Sequence, residues 1–344
     1  MLLSICIPTY NRATLLQEAL ESIAGQIDES MINKVEIVVS DNASTDETFV
    51  VVNRLKQATR VLLSYFKNES NVGFDQNILL LVERARGRYV WILGDDDLLA
   101  AGALAKVVNV LEGANEIAVF LGEKEDFYLS TDRPMRWRKI MNSTVPVVYD
   151  FSQPGKLDEY FRTNKKLIAF LNFISIIVFK RSSWLAVKNK EGYVGTGYIH
   201  VYVLQKILWS KPCHSLKYLP FAMARRRWGT DPNYDPEVRL KQDFEMFHRI
   251  ATAVFDEPKY IWQIDDLVIR SDGFSWAARA KLKSPWRFFV VHLPILMKRY
   301  YSHPLFWLKI FPLVFVPSFI VRLLRYSYRR IVKGEALGWQ EFAQ

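Results

Sequence analysis

Residues 89–97 read YVWILGDDD, five apolar or aromatic residues followed by a glycine and three aspartates. A short apolar run that ends at Gly94 is typical of a strand buried on both faces. Three consecutive carboxylates repel one another, and neighbouring like charges raise one another's pKa. A divalent cation relieves this repulsion, and oxygen ligands suit Mg²⁺ or Mn²⁺. The segment therefore predicts a buried strand ending at a metal site, with capping of a helix by aspartate as the simpler alternative.

Strands and helices alternate on both sides of this segment. The further apolar runs are residues 2–7, 35–39, 61–66 and 117–121, and the segments with helical periodicity are residues 14–26, 50–55, 74–85 and 102–111. This alternation predicts an α/β fold, a mostly parallel sheet covered by helices on both faces. Polar turns follow the first, second and fourth strands. Since open α/β sheets bind ligands beyond the carboxyl ends of their strands, we expect these turns to form one crevice.

Length and cysteine content narrow the class of protein. A chain of 344 residues is long enough for one large α/β domain with an appendage. Its two cysteines, Cys6 and Cys213, form no CxxC pattern, so neither a disulfide framework nor a zinc site is predicted. A reducing cytoplasm fits this composition. No basic segment with a cleavage pattern opens the sequence, so we expect no signal peptide.

The net charge of +10 is concentrated near the end of the chain. Residues 281–333 contain many lysines, arginines and aromatic side chains but no acidic residue. The apolar part, residues 305–321, is interrupted by Lys309, Pro312 and Pro317 and is shorter than the ~20 residues of a membrane span. This composition predicts helices that lie on an anionic membrane surface. Single-stranded nucleic acid is the alternative ligand, but because no nucleic-acid module is recognisable we expect no nucleic-acid partner.

Four motifs occur in the order found in family 2 glycosyltransferases. They are SICIPTYNR (4–12), VVSDNASTD (38–46), NVG (71–73) and WILGDDDLL (91–99). The resemblance covers about the first 120 residues and weakens beyond them. It implies a GT-A fold, which is a Rossmann-like mixed sheet flanked by helices. It also implies a nucleotide-diphosphate sugar donor, a Mn²⁺ or Mg²⁺ cofactor and inversion at the anomeric carbon.

The same resemblance assigns roles to individual positions. Asp95 and Asp97 would hold the metal, and Asp41 would hydrogen-bond a pyrimidine base. The residues that would border the donor are Pro8, Thr9, Tyr10, Arg12, Asp41, Asn71, Gly73, Asp95, Asp96 and Arg227. A simpler interpretation stays open, because Asp41 and residues 71–73 are also typical turn formers.

Arg227 belongs to the segment RRRW, residues 225–228. This segment resembles the Arg-Trp motif of some family members, although the glutamine that normally precedes it is missing. Arginine forks suit diphosphate oxygens, so we predict that Arg227 binds the donor. A solvated basic loop is the alternative.

The base for an inverting transfer is less clear from the sequence. Family members usually have a Glu-Asp pair at the start of a helix, whereas this chain has Ile199 and His200 at the corresponding place. Histidine acts as a base near neutral pH because its unperturbed pKa is about 6.5, so we nominate His200. Packing or capping at the helix start is the alternative role for this side chain. Asp126 is the next candidate base.

These observations predict three regions. Residues 1–125 would bind the donor, residues 126–255 would form the acceptor-binding half of the same domain, and residues 256–344 would form a helical membrane-associating region. Within the family the chain resembles O-antigen transferases of the abequosyltransferase type. We therefore predict transfer of a single sugar to a lipid-linked glycan by a cytoplasmic enzyme that is peripheral on the inner face of the cell membrane. A nucleotidyltransferase and an inactive glycan-binding scaffold are the alternatives.

Overall fold

The computed structural model describes residues 1–114, 116–128, 139–210, 214–228 and 235–327. Cys213 and residues 328–333 of the basic segment lie outside these ranges. Contacts within the chain define two compact units, Met1–Pro232 and Asn233–Gln344. Residues 233–255, assigned from the sequence to the acceptor-binding half, fall in the second unit. The separation of a donor half from an acceptor half at residue 125 stays a prediction.

A mixed sheet forms the centre of the first unit. Its strands are β1 (Leu3–Thr9), β2 (Val35–Asp41), β3 (Leu62–Lys67), β4 (Tyr89–Ile92), β5 (Leu98–Leu99), β6 (Ile117–Tyr128), β7 (Val147–Asp150), β8 (Ile177–Lys180) and β9 (Ser215–Trp228). Their order is β3-β2-β1-β4-β8-β6-β9-β5, with β7 paired to β9. The first four are mutually parallel, and β8 runs antiparallel to both β4 and β6. The predicted mixed α/β sheet is therefore confirmed.

Helices cover this sheet. In the first unit they are α1 (Ala13–Ala24), α2 (Thr48–Ala58), α3 (Phe74–Arg84), α4 (Ala103–Glu112), α5 (Lys156–Thr163), α6 (Arg181–Ala186) and α7 (Ile199–Trp209). In α1 the buried side chains are Leu16, Ala19, Leu20 and Ile23, which is the spacing of one helical face. Burying a leucine or isoleucine of this face stabilises the fold by roughly 1.5–3 kcal/mol.

Two long strands differ from the sequence-based assignment. The sequence predicts that β6 ends near Leu121, but the strand continues to Tyr128. The prediction of a loop at Arg225 is wrong, because this residue lies in β9. The two strands are parallel neighbours, with Asp126 opposite Arg226. Opposite charges on adjacent strands compensate each other, which allows a charged sequence to form this part of the sheet.

The second unit is helical. Its α-helices are α8 (Pro236–Lys241), α9 (Phe247–Val254), α10 (Pro258–Val268), α11 (Phe274–Lys283), α12 (Pro285–Arg287), α13 (Leu293–Tyr300) and α14 (Ser318–Ser327). Short π-helical turns occur at residues 242–246, 269–273, 288–292 and 306–310. Within the described residues, none of the helices combines the length and the apolar character that crossing a membrane requires.

Candidate active site

The turns after β1, β2 and β4 meet at the carboxyl edge of the sheet. The Thr9 hydroxyl donates a hydrogen bond of 2.8 Å to Asp95, so the turns after β1 and β4 are in direct contact. Asn11 joins the turns after β1 and β2, since its amide oxygen accepts from the Thr45 N–H at 2.8 Å and its own N–H donates to Ser44 Oγ at 2.9 Å. Asn11 has a φ of 51°, a left-handed conformation that asparagine tolerates. The polar turns that were predicted to converge therefore meet at this edge of the sheet.

Asp41 lies at the end of β2 and is buried. It accepts a hydrogen bond of 2.5 Å from the Tyr65 hydroxyl and one of 2.8 Å from the Ser44 N–H. Burial and the nearby Asp41 carboxylate raise the pKa of Tyr65, so its phenol stays protonated and keeps donating. The sequence did not identify Tyr65, which orients the predicted base-binding carboxylate.

A set of asparagines fixes the turn at residues 71–73. The Asn42 amide donates to Asn71 Oδ1 at 2.8 Å, and the same oxygen accepts from the Gly73 N–H at 2.9 Å. Asn42 Oδ1 accepts from the Val72 N–H at 2.9 Å. Gly73 has a φ of 82°, which only glycine adopts readily. The NVG motif therefore has a structural role, and its role in donor binding stays a prediction.

The acidic triplet is largely enclosed, with Asp95 and Asp97 only 6% and 4% exposed. Asp95 accepts from Thr9 and from the Arg12 guanidinium at 3.1 Å. Asp97 accepts from Ser175 Oγ at 2.6 Å and from the Arg227 backbone N–H at 3.3 Å. These contacts hold both carboxylates in place from two sides of the crevice.

The carboxylates carry an electrostatic cost in the absence of a cation. Burial raises the pKa of Asp95 to about 6, and the charge of Arg12 only partly opposes that effect. Burial and the neighbouring Asp96 raise the pKa of Asp97 well above its usual range. The site therefore favours an added positive charge. Space is also tight, because a Cβ on Gly94 would lie 3.1 Å from an Asp96 oxygen and 3.2 Å from an Asp97 oxygen.

The donor set of this site suits a hard divalent cation. In the described part of the chain, no group of three or more His, Cys, Asp or Glu side chains is arranged to hold a metal ion. The two buried carboxylates are thus the ligands that the chain itself offers. Mg²⁺ and similar ions are commonly held by one or two carboxylates together with water and substrate phosphates. Asp95 and Asp97 are oxygen ligands of this kind, and metal binding by them stays a prediction.

Arg227 and its neighbour Arg226 point to opposite faces of β9. The Arg227 side chain is buried, with Nε donating to the Asp96 carbonyl at 3.1 Å and Nη2 to Glu18 at 2.5 Å. These contacts anchor the acidic turn to α1. The predicted binding of the donor by Arg227 stays untested, and the Asp96 carbonyl and Glu18 already take up two of its donor groups.

Arg226 forms a two-point ion pair with Asp126, at 2.8 and 3.1 Å, and Lys124 binds the same carboxylate. Burial alone would raise the pKa of Asp126, but Arg226 and Lys124 hold it below its usual value. Arg226 directly precedes Arg227, whose backbone N–H donates to Asp97, so the pair is close to the acidic turn along β9. Asp126 is consequently a weak base in this arrangement.

His200 is the second residue of α7 and is only 3% exposed. Its Nε2 lies 3.4 Å from the Asn172 carbonyl oxygen, and the ring of Phe74 meets it edge-on at a centroid distance of 6.5 Å. The segment that begins at Asn172 continues to Ser175, the hydrogen-bond partner of Asp97. A short piece of backbone therefore connects the candidate base to the acidic turn.

Comparison with known proteins fits this geometry. The sequence model described as Glycosyl transferase family 2 matches residues 4–175, which is half of the chain. The chain belongs to this family. Abequosyltransferase RfbV of Salmonella typhimurium is 30% identical to it over 262 residues, 75% of this chain and 76% of the relative. A Campylobacter jejuni relative, GalNAc(5)-diNAcBac-PP-undecaprenol beta-1,3-glucosyltransferase, is 37% identical over 115 residues, 33% of this chain and 35% of its own.

Solved structures show the same GT-A architecture. S. aureus TarS in complex with UDP-GlcNAc has a TM-score of 0.59 at 16% identity, covering 84% of this chain and 78% of TarS. The mannosyltransferase PcManGT from Pyrobaculum calidifontis, in complex with GDP-Man and Mn²⁺, has a TM-score of 0.54 at 17% identity, covering 97% and 87%. At these identities the likeness concerns the fold alone.

In this family 2 chain the structure brings most of the predicted donor residues to one edge of the sheet. Pro8 and Thr9 end β1, and the exposed Tyr10 follows them. The residues that the sequence did not reveal are Asn42, Tyr65, Ser175 and Arg226. Tyr65 could have been suspected from its place on a strand next to β2, whereas Ser175 is far from the triplet in sequence and gives no local signal.

Proposed function

We propose that this chain is a metal-dependent, inverting glycosyltransferase that moves one sugar from a nucleotide-diphosphate sugar to a lipid-linked glycan during cell-surface polysaccharide synthesis. The buried pair of Asp95 and Asp97 carries the proposal, because both carboxylates are enclosed at the edge of the sheet where the turns after β1 and β4 meet. The names of the relatives support it: one is an abequosyltransferase, and the other is named for a diphosphate-linked undecaprenol saccharide.

At the donor end, Asp41 would bind the base of the nucleotide with its carboxylate oriented by Tyr65. Asp95 and Asp97 would hold Mn²⁺ or Mg²⁺, which supplies charge stabilisation for the leaving nucleoside diphosphate. Arg226 and Lys124 lie beside this turn and would add positive charge near the diphosphate oxygens.

At the acceptor end, His200 would take the proton from the attacking hydroxyl. An imidazole with a pKa near neutrality is suited to this transfer. Asp126 is the weaker candidate, because Arg226 and Lys124 stabilise its charged form. His200 is nearly buried, and the exposed Phe74 side chain meets its ring edge-on.

A transfer assay distinguishes this function from its alternatives. Purified protein is incubated with UDP-, GDP-, dTDP- and CDP-sugars, Mn²⁺ and lipid-linked saccharide acceptors, and the products are analysed by mass spectrometry. The proposal expects an acceptor enlarged by one sugar and an equal amount of nucleoside diphosphate. Release of pyrophosphate from nucleoside triphosphates would instead indicate a nucleotidyltransferase. Binding of glycan without turnover of any donor would indicate an inactive scaffold.

We also propose that the enzyme is cytoplasmic and peripheral on the inner face of the cell membrane. The second unit exposes large apolar side chains, among them Trp286 at 76% and Phe315 at 75%. Phe319 and Leu323 are exposed and lie one turn apart on α14, and the exposed Phe315 precedes this helix, whereas the apolar face of a helix is usually buried. An exposed apolar surface with lysine and arginine around it suits the interface of an anionic bilayer.

The structure narrows the basic residues that could contact such a bilayer. Lys281 is buried, and its ammonium group donates to the carbonyl oxygens of Leu313 and Val316. Lys283 and Arg287 pair with acidic residues of α8 and its cap, at 2.6 and 3.3 Å. The remaining basic side chains in residues 281–327 are Lys298, Arg299, Lys309, Arg322 and Arg325. We assign the electrostatic part of membrane binding to the basic residues of this range other than the buried Lys281.

Replacing Phe315, Phe319 and Leu323 together by serine should weaken binding to vesicles that contain anionic lipid by about tenfold or more, because less apolar area enters the interface. Flotation with anionic and with neutral vesicles measures the effect. Val145→Ser is the matched control, since Val145 is an equally exposed apolar residue in the first unit. Unchanged flotation of the triple variant, or an equal loss in the control, would contradict the assigned surface.

A further inference from the structure

The carboxylate of Asp75 lies inside a turn formed by another part of the chain. Asp75 belongs to the first turn of α3 and is buried. It accepts hydrogen bonds from the backbone N–H groups of Gly197 at 2.8 Å and Ile199 at 3.1 Å, and the Thr196 hydroxyl lies 3.4 Å from it. Gly195 and Gly197 have φ values of 88° and 73°, so glycine is needed for the backbone to wrap around the carboxylate.

Asp75 supplies a hydrogen-bond acceptor for the start of α7, which its own N-cap residue does not provide. The first N–H groups of a helix have no partner within the helix, and a nearby side chain usually satisfies one of them. The N-cap of α7 is Tyr198, whose side chain makes no capping hydrogen bond. Asp75 provides this acceptor from α3, more than 120 positions earlier in the sequence. A negative charge at this end also complements the helix dipole.

The same turn of α3 is joined to the donor side of the crevice. Asp75 follows Gly73 and Phe74 directly, and residues 71–73 are fixed by the Asn42 hydrogen bonds. Phe74 also contacts the ring of His200. Residues 71–75 therefore connect the donor-side turn to Phe74, which contacts His200, and to Asp75, which binds the turn before α7.

We propose that Asp75 is a positioning residue that fixes the turn at residues 195–199 and thereby sets the place of His200 relative to the donor-binding turn. The proposal rests on the proposed function, in which His200 is the base. Asp75 itself is not expected to touch either substrate. Its effect should therefore appear in turnover and not in donor binding.

The test is Asp75→Asn, which removes the charge. It also places an amide NH₂, which cannot accept a hydrogen bond, opposite the N–H of Gly197 or of Ile199. We expect kcat to fall about tenfold or more, since small displacements of reacting groups can cost up to ~100-fold. The KM for the donor and the donor-induced rise in Tm should stay within twofold of the wild type. Amide hydrogen exchange at residues 197–200 should become faster. Asp75→Glu, which keeps the charge but moves it, should fold and show a smaller loss of kcat.

Asp150→Asn is the matched control, because Asp150 also accepts from a backbone N–H, that of Ser152 at 3.0 Å, in an exposed turn. It should leave kcat and the exchange at residues 197–200 unchanged. A wild-type kcat for Asp75→Asn would overturn the positioning role whatever the other variants show.

A double-mutant cycle with His200→Gln distinguishes the failure of this inference from the failure of the proposed function. If Asp75 acts through His200, then Asp75→Asn adds little further loss once His200 is replaced. Additive losses would overturn the positioning role while leaving His200 as the base. Wild-type turnover of His200→Gln alone would remove the base assignment, and a low kcat of Asp75→Asn in that case would show that Asp75 acts through a different group.

Discussion

Asp97→Asn should lower turnover by about 10²- to 10³-fold and abolish the Mn²⁺-dependent part of donor binding, because a catalytic metal supplies several kcal/mol of charge stabilisation. The amide keeps the size of the side chain, its oxygen can accept from the Arg227 N–H and its NH₂ can donate to Ser175 Oγ, so the turn should stay folded. Initial rates and donor titrations with and without Mn²⁺ measure the two effects. Wild-type turnover in this variant would remove Asp97 from the metal site.

The same substitution should stabilise the metal-free protein. Burial and the neighbouring Asp96 raise the pKa of Asp97, so the charged carboxylate disfavours folding. A group whose pKa is raised on folding contributes most at low pH and loses that contribution as pH rises through its folded pKa. For Asp95 this loss runs from about pH 4 to about pH 6, and for Asp97 it extends to higher pH.

The Tm in the presence of a chelator should therefore fall between pH 5 and pH 8 for the wild type, and fall less for Asp97→Asn. Asp96→Asn is the comparison, since the Asp96 side chain is 26% exposed and is the least enclosed of the three. A lower Tm for Asp97→Asn than for the wild type at pH 8 would contradict the electrostatic account of the triplet.

His200→Gln should lower kcat by about 10²- to 10⁴-fold, the usual range for loss of a general base, and leave donor affinity within twofold. Glutamine retains most of the buried volume, whereas alanine would leave a cavity beside Phe74 and complicate the comparison. Initial rates at saturating donor, together with the donor-induced rise in Tm, separate chemistry from binding. Partial recovery of the His200→Ala variant by added imidazole would support the role of the ring.

Asp126→Asn is the companion variant. It should leave Arg226 and Lys124 without their shared carboxylate and alter donor binding more than proton transfer. Normal turnover of His200→Gln combined with an inactive Asp126→Asn that still binds donor would reverse the assignment and make Asp126 the base.

The first part of the sheet was predictable because its signals are local. The alternation of apolar runs and helical segments determines the parallel strands β1 to β4, and each parallel strand ends at the same edge of the sheet. Asp41 ends β2, and Asp95 follows β4 after Leu93 and Gly94. The topology of the sheet therefore brings both residues to the same edge. The polar composition of residues 71–73 likewise predicted a turn.

The other half depends on contacts between distant segments. The charged residues of β6 and β9 are unusual in strands. They are accommodated because opposite charges pair across the two strands, as Asp126 and Arg226 do. Once β9 is a strand, the alternation of side chains places Arg226 and Arg227 on opposite faces, and this changes which arginine lies beside Asp126. Asp75 accepts a hydrogen bond from an N–H group at the start of α7, far along the chain, so no local sequence pattern predicts its role.

The basic segment shows the same limit. The sequence gives the net charge of this segment, but it does not give the position of each charged group in the fold. Lys281 is folded inward onto two carbonyl oxygens, and burial lowers its pKa. The number of cations available to a membrane is therefore smaller than composition suggests, and membrane binding itself stays a prediction.

The central claim is that the crevice beyond β1, β2 and β4 binds a nucleotide-diphosphate sugar through a metal held by Asp95 and Asp97. The most direct measurement is the Tm of the wild-type protein with a panel of UDP-, GDP-, dTDP- and CDP-sugars, each with Mn²⁺ and with a chelator. A specific ligand stabilises the folded state by mass action, by about 2.7 kcal/mol at a concentration 100 times its Kd. We expect one class of donor to raise the Tm with Mn²⁺, and we expect this rise to disappear with the chelator. A rise of equal size with the chelator, or no rise with any nucleotide-sugar, would contradict it.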